Sequence, residues 1–235
     1  ELREIPYYGL METKIGGADC VISQTGFTGE KGYEIYVRDA HENAEKMWNA
    51  VLEAGEEFGL MVIAPAHHRR IAAGILSWGQ DLDHETSPFQ VNLSYQVPRN
   101  KEADYIGKEA LEKQRAIIDE GNAPFKMKMV GLIFGGKEIT DYAPDFWLIN
   151  DTDGNEMGFI TSPWWSPELN TNIALGWVPW NSSEIGTQLQ VMLPDEYADS
   201  SGASVDGEIV DIPFRESVNP NKREVQKAKG LDFAD

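Results

Sequence analysis

Six short runs of strand character follow one another in the second half of the chain, at residues 130–134, 146–150, 157–161, 172–178, 188–193 and 207–212. Turn residues separate them, and Asp153-Gly154, between the second and third runs, is a strong hairpin signal. Short strands at this density predict a small antiparallel barrel or sandwich, and we read it as a barrel.

The first half has a different grain. Cys20-Val21-Ile22-Ser23 reads as a strand, and Tyr33-Glu34-Ile35-Tyr36-Val37 as another. Between them Gly26, Gly29 and Gly32 mark a backbone that must turn tightly or lie close to something. A helix is expected next, with Asp39 as N-cap, Ala44, Met47, Trp48, Val51 and Leu52 as its apolar stripe, and Gly55 as its stop. A second helix is expected from Pro65 through Ile71, Ile75 and Leu76, and a third over 106–118, with Glu109 one turn before Lys113. Gly121-Asn122-Ala123-Pro124 looks like a boundary. The expectation is an α+β chain of three parts: an α+β portion over 1–121, the barrel over 122–215, and a tail over 216–235.

Charge and composition narrow the function. Lys+Arg 20 against Asp+Glu 39 gives 20 − 39 = −19, which argues against a general nucleic-acid binder. No apolar stretch approaches the roughly 20 residues of a membrane span, and no signal-peptide pattern opens the sequence. Cys20 is the lone cysteine, so an intrachain disulfide and a cysteine-based zinc site are excluded. A reducing, cytoplasmic setting fits this usage.

Few residues announce chemistry by themselves. There is no Walker loop, no Rossmann glycine fingerprint and no nucleophile elbow. His67 and His68 are adjacent on a helix and point about 100° apart, so they do not converge on a metal. Asp81, Asp83, His84 and Glu85 are read as a solvated acidic loop rather than a cation site, because their spacing matches no calcium loop. Glu34 follows the glycine loop on a strand whose same side carries Gly32 and Tyr36, while Tyr33 and Ile35 face the other way. It is either a carboxylate placed to accept two parallel hydrogen bonds from the amino group and ring N–H of a flat heterocycle, or an ordinary surface glutamate.

Motifs in order carry a resemblance. Thr25-Gly26-Phe27-Thr28-Gly29-Glu30-Lys31-Gly32-Tyr33-Glu34-Ile35 resembles the T-G-Y-T-G-E-x-G-[FYV]-E-I signature of the glycine-cleavage T-protein (aminomethyltransferase) superfamily. Residues 64–74 resemble its G-A-R-D-x-L-R-L-E-A-G helix. Residues 79–88 resemble Y-G-x-D-[IM]-D-E-x-[TI]-[ST]-P, and 104–111 resemble D-F-I-G-x-E-A-L. In the barrel, 158–162 with Ser166-Pro167 resemble G-x-V-T-S-G-x-x-S-P, and 212–215 resemble the closing P-P-F. The resemblance implies a folate-binding T-protein fold followed by a small antiparallel β-barrel, with tetrahydrofolate as cofactor. It places the family's pterin-binding glutamate on Glu34, its pterin-packing aromatic on Phe27 and its second helix arginine on Arg70, and Tyr95 is assigned to the same cofactor side.

Departures colour the reading. Ala66 does not keep the first helix arginine, and Pro163-Trp164-Trp165 replaces a G-T-F, so Trp164 and Trp165 either stack on an aryl substrate or pack an interface. On the resemblance these changes point to an O- or S-demethylase member, passing a methyl group from a small donor such as a methoxylated aromatic acid or dimethylsulfoniopropionate to N5 of tetrahydrofolate. The alternatives are glycine-cleavage aminomethyl transfer from a lipoyl carrier, and a non-catalytic folate-binding or structural subunit. No residue is picked out as catalytic. The family's catalytic aspartate and much of its pterin pocket lie in an N-terminal half not in this sequence. The expected partners are therefore a small methyl donor and an N-terminal fragment or subunit completing the fold, as Tyr7, Tyr8 and Leu10 would be unusual to leave exposed.

Overall fold

The structure is a computed structural model that describes residues 2–214, so the tail expected over 216–235 lies outside the described residues. It resolves into two compact units, one running to Ala66 and the other starting at His67. By contacts the helical segment after His67 groups with the barrel, because its first helix packs on barrel strands.

In the first unit, β1 (Leu10–Ile15), β2 (Ala18–Ser23) and β3 (Glu34–Val37) form an antiparallel sheet in that order. β1 and β2 are joined by Gly16-Gly17, both at positive φ (55° and 83°), the conformation that a two-residue hairpin turn demands. Ala18, Cys20 and Ile22 alternate along β2 into the buried face. Helix α1 (Ala40–Gly55) packs against the hairpin so closely that a Cβ on Gly16 would lie 2.7 Å from that of Ala50. Asp39 does occupy the position before α1, but at φ 48° and without a side-chain cap, and the chain continues past Gly55 into a 3-10 turn that ends at Gly59.

The second unit opens with α2 (His67–Ala72), shorter than the periodicity predicted. Gly74, at φ 67°, reverses the chain and Ile75 donates its amide back to the Arg70 carbonyl, so Ile75 and Leu76 lie past the helix. Helix α3 (Lys108–Asp119) follows, with the Glu109–Lys113 pair formed at 2.7 Å. All six strand segments then appear: β4 (Met127–Phe134), β5 (Trp147–Asn150), β6 (Glu156–Ser166), β7 (Thr171–Pro179), β8 (Gln188–Met192) and β9 (Ser204–Val210). They close into a barrel in the order β4-β7-β6-β5-β8-β9. Closure leaves no open edge, and Leu132, Ile149, Ile160, Ala174, Val191 and Ile209 fill the interior.

β7 is buried on both faces. Ala174 and Val178 point into the barrel, while Ile173, Leu175 and Trp177 face outward and join Ile71 and Ala72 of α2 in a second apolar layer. This is why its sequence is a continuous apolar run rather than an alternation. α2 is thereby held against β6 and β7, which fixes the position of Arg70. No helix among the described residues is long and apolar enough to cross a membrane.

Candidate functional site

The sequence-predicted site residues fall in both units: Glu34 and Phe27 in the first, Arg70, Tyr95, Trp164 and Trp165 in the second. Glu34 opens β3, opposite Ser23 of β2. Its Oε2 accepts hydrogen bonds from the Thr25 hydroxyl and from the Tyr36 hydroxyl at 3.2 Å. Its Oε1 accepts none from the described residues. Tyr33, just before β3, donates instead to the Leu2 carbonyl at 2.9 Å. The alternation read from sequence therefore holds, with Tyr36 beside Glu34 and Tyr33 away from it.

Around Glu34 the sheet face is open, with Leu10 66% and Tyr36 56% exposed, and Phe27 at the loop is 43% exposed. Of the three loop glycines only Gly29 takes a positive φ, 74°. Gly26 and Gly32 have ordinary φ, and a Cβ on either would meet no atom within 4 Å. Turn geometry accounts for Gly29 alone. A half-buried carboxylate with one oxygen held and one open, beside an exposed aromatic and bare backbone, suits a flat ligand carrying N–H donors.

In the second unit Arg70 is 1% exposed. Its guanidinium donates to Asp81 at 2.5 Å, to Ser162 Oγ at 2.7 Å, to Gln80 Oε1 at 3.4 Å and to the Ile75 carbonyl at 3.2 Å. Asp81, equally buried, also accepts from Thr161 and Ser162 (2.6 Å each) and from the Ser77 amide at 2.7 Å, and its carbonyl accepts the Trp177 indole N–H at 3.0 Å. Arg70 is thus turned inward, where it ties α2 to the 77–81 loop and to β6. Asp81 is no part of a solvated acidic loop. Of its neighbours, Asp83 serves a local turn, accepting from the Glu85 amide and the Thr86 hydroxyl.

Trp164 is half-buried and stacks on His67 (centroids 5.4 Å apart, planes 30°), which also meets Tyr142. Trp165 is half-buried on β6 opposite Asn172, its amide bonded to the Ile139 carbonyl. Tyr95 is half-buried in a single 3-10 turn, Ser94–Gln96. Sequence reasoning missed Thr25, Tyr36, Thr161 and Ser162 as partners of the charged groups. The strand alternation was a sufficient signal for Tyr36, whereas the others need the hairpin register or the tertiary fold.

Burial lowers the pKa of His67 below the ordinary histidine value, nearby Arg70 lowers it further, and Asp81 partly opposes them. The unfolded chain therefore takes up this proton first. Stability from keeping His67 neutral is fully present above about pH 6.5 and is lost as pH falls through the lowered folded value. We expect the melting temperature to decline below that pH, and His67→Phe, which keeps the stack but cannot titrate, to flatten the decline. An unchanged pH dependence in the variant would refute the assignment.

Residues 1–101 match the family description "GCVT N-terminal domain", and residues 125–214 match "Glycine cleavage T-protein C-terminal barrel domain". An aminomethyltransferase of Geobacillus sp. (strain WCH70) is 31% identical over 217 residues, covering 91% of this chain and 54% of the relative. An aminomethyltransferase of Desulfitobacterium hafniense is 35% identical over 195 residues, covering 82% of this chain and 50% of the relative. The chain thus spans about half the length of these relatives. The crystal structure of glycine cleavage system aminomethyltransferase T from Bartonella henselae superposes with a TM-score of 0.68 at 23% identity, covering 92% of this chain and 54% of that one, and shows the fold.

Proposed function

The chain belongs to the glycine-cleavage T-protein superfamily, and on that premise we propose that it carries part of the site of a tetrahydrofolate-dependent aminomethyltransferase. Glu34 is the observation that supports this reading: one carboxylate oxygen is held by Thr25 and Tyr36, and the other is open to a ligand. Tetrahydrofolate, when bound, supplies the nucleophilic nitrogen that receives the one-carbon unit. Glu34 holds and orients its pterin through N–H donors, Phe27 packs on the ring, and Gly26 and Gly32 let the backbone lie close. Arg70 serves as a positioning residue, fixing α2 and the 77–81 loop through Asp81 and Ser162. Trp164 is engaged by His67, so it gives no support to an aryl-substrate platform.

Aminomethyl transfer is preferred to the methyl transfer expected from sequence because the similar proteins are named aminomethyltransferases. The chain spans about half the length of its aminomethyltransferase relatives, and in this reading the group that moves the proton to the leaving amine belongs to the other half. The test is incubation of the full-length protein with tetrahydrofolate and a lipoyl carrier bearing an aminomethyl group. Folate-dependent release of ammonia is expected, with methoxylated aromatic acids and dimethylsulfoniopropionate left untouched. Consumption of a methyl donor without ammonia would transfer the assignment to demethylation, and folate binding with neither reaction would leave a binding protein.

A further inference from the structure

The second oxygen of Glu34 is where the local structure says more than the strand pattern does. We propose that Thr25 and Tyr36 are positioning residues that fix the Glu34 carboxylate so that Oε1 is the acceptor presented to the ligand. The inference rests on the folate reading of Glu34 and deepens it.

The geometry comes from the hairpin. Ser23 and Glu34 face each other across β2 and β3, and Thr25, just beyond β2, reaches back to Oε2. Tyr36, two residues along β3, lies on the same side and brings its hydroxyl to the same oxygen. Thr25 Oγ1 is also 3.1 Å from Ser23 Oγ. A hydroxyl has one proton, and a carboxylate is the stronger acceptor, so Thr25 donates to Glu34 and takes the Ser23 proton in turn. The result is a short relay of hydroxyls ending on Oε2, with the Tyr36 donor as a second fastening.

A free glutamate at a strand start rotates about its terminal torsion. Two donors on one oxygen select an orientation and fill that oxygen's roughly two acceptor directions, leaving the partner oxygen for the ligand. Removing a fastening restores rotation, and the ligand must then reorder the carboxylate as it binds.

The experiment is a double-mutant cycle on the full-length protein, reading tetrahydrofolate affinity by equilibrium binding. Thr25→Val is expected to weaken binding about tenfold, Thr25→Ser to stay within about twofold of the parent, and Tyr36→Phe to weaken it about threefold. In a Glu34→Gln background, neither Thr25→Val nor Tyr36→Phe should cost more than about twofold. Melting temperatures separate binding from folding, and Tyr36→Phe keeps an exposed ring, so it reports even if Thr25→Val does not fold. Equal losses with and without Glu34, no rescue by serine, or no loss for either variant would overturn the positioning role. If Glu34→Gln itself leaves affinity unchanged, the folate reading of Glu34 falls, and this inference with it.

Discussion

Replacing Asp81 with alanine is expected to destabilise the protein by about 3–5 kcal/mol. Desolvated ion pairs are poor stabilisers compared with apolar packing, but removing one partner leaves the other charge buried. Here Arg70 is 1% exposed, and its shortest charged contact would be gone. The Ser77 amide and the Ser162 hydroxyl would lose their acceptor as well, while Thr161 keeps the Leu175 carbonyl at 3.2 Å. For a domain of this size the melting temperature should fall on the order of 10 °C. In urea the midpoint should drop with an unchanged slope. The double variant Arg70→Met, Asp81→Leu should recover part of the loss, because no lone charge remains in the interior. A cost below about 1 kcal/mol for Asp81→Ala would mean that water or the chain relaxes around Arg70, and the fastening described for α2 would be wrong.

Glu34→Gln should have the opposite profile, with stability nearly unchanged and a large loss of ligand affinity. Glutamine keeps the shape and one carbonyl oxygen to accept from Thr25 and Tyr36. Where Oε1 faced the ligand it places an amide N–H₂, so a charge-assisted bond is replaced by two donors pointing at each other. Loss of such a bond corresponds to a roughly ten- to hundredfold weaker tetrahydrofolate complex. The stability change should stay within about 0.5 kcal/mol, as the residue is only half-buried. Titration calorimetry with a parallel thermal melt checks both halves, and unchanged affinity would remove Glu34 from the site.

These two positions also show what the sequence could reveal. The barrel was legible because its strands are short, apolar and punctuated by turns, although β6 runs on to Ser166, past the run expected over 157–161. β1 was missed because Glu12 and Lys14 interrupt it, Leu10 is exposed, and Met11 and Ile15 only half-bury. Its turn, Gly16-Gly17, was nevertheless a hairpin signal. Tyr36 beside Glu34 follows from period-two alternation, whereas Thr25 reaches Glu34 only through the β2–β3 register. Asp81 read as solvent-exposed among its acidic neighbours. What buries it is Arg70 on α2 and Thr161 on β6, the latter 80 residues away along the chain, and no local pattern records that. The periodic residues that prolonged α2 in the sequence reading were cut off by Gly74, whose positive φ ends the helix.

The most direct measurement is titration of tetrahydrofolate onto the full-length protein by calorimetry, at neutral pH and with no second substrate. Saturable one-to-one binding, weakened in Glu34→Gln and unaffected in an exposed variant of the second unit such as Lys113→Ala, is the predicted result. Absence of saturable binding, or binding that ignores Glu34, would contradict the assignment of this chain to a folate site.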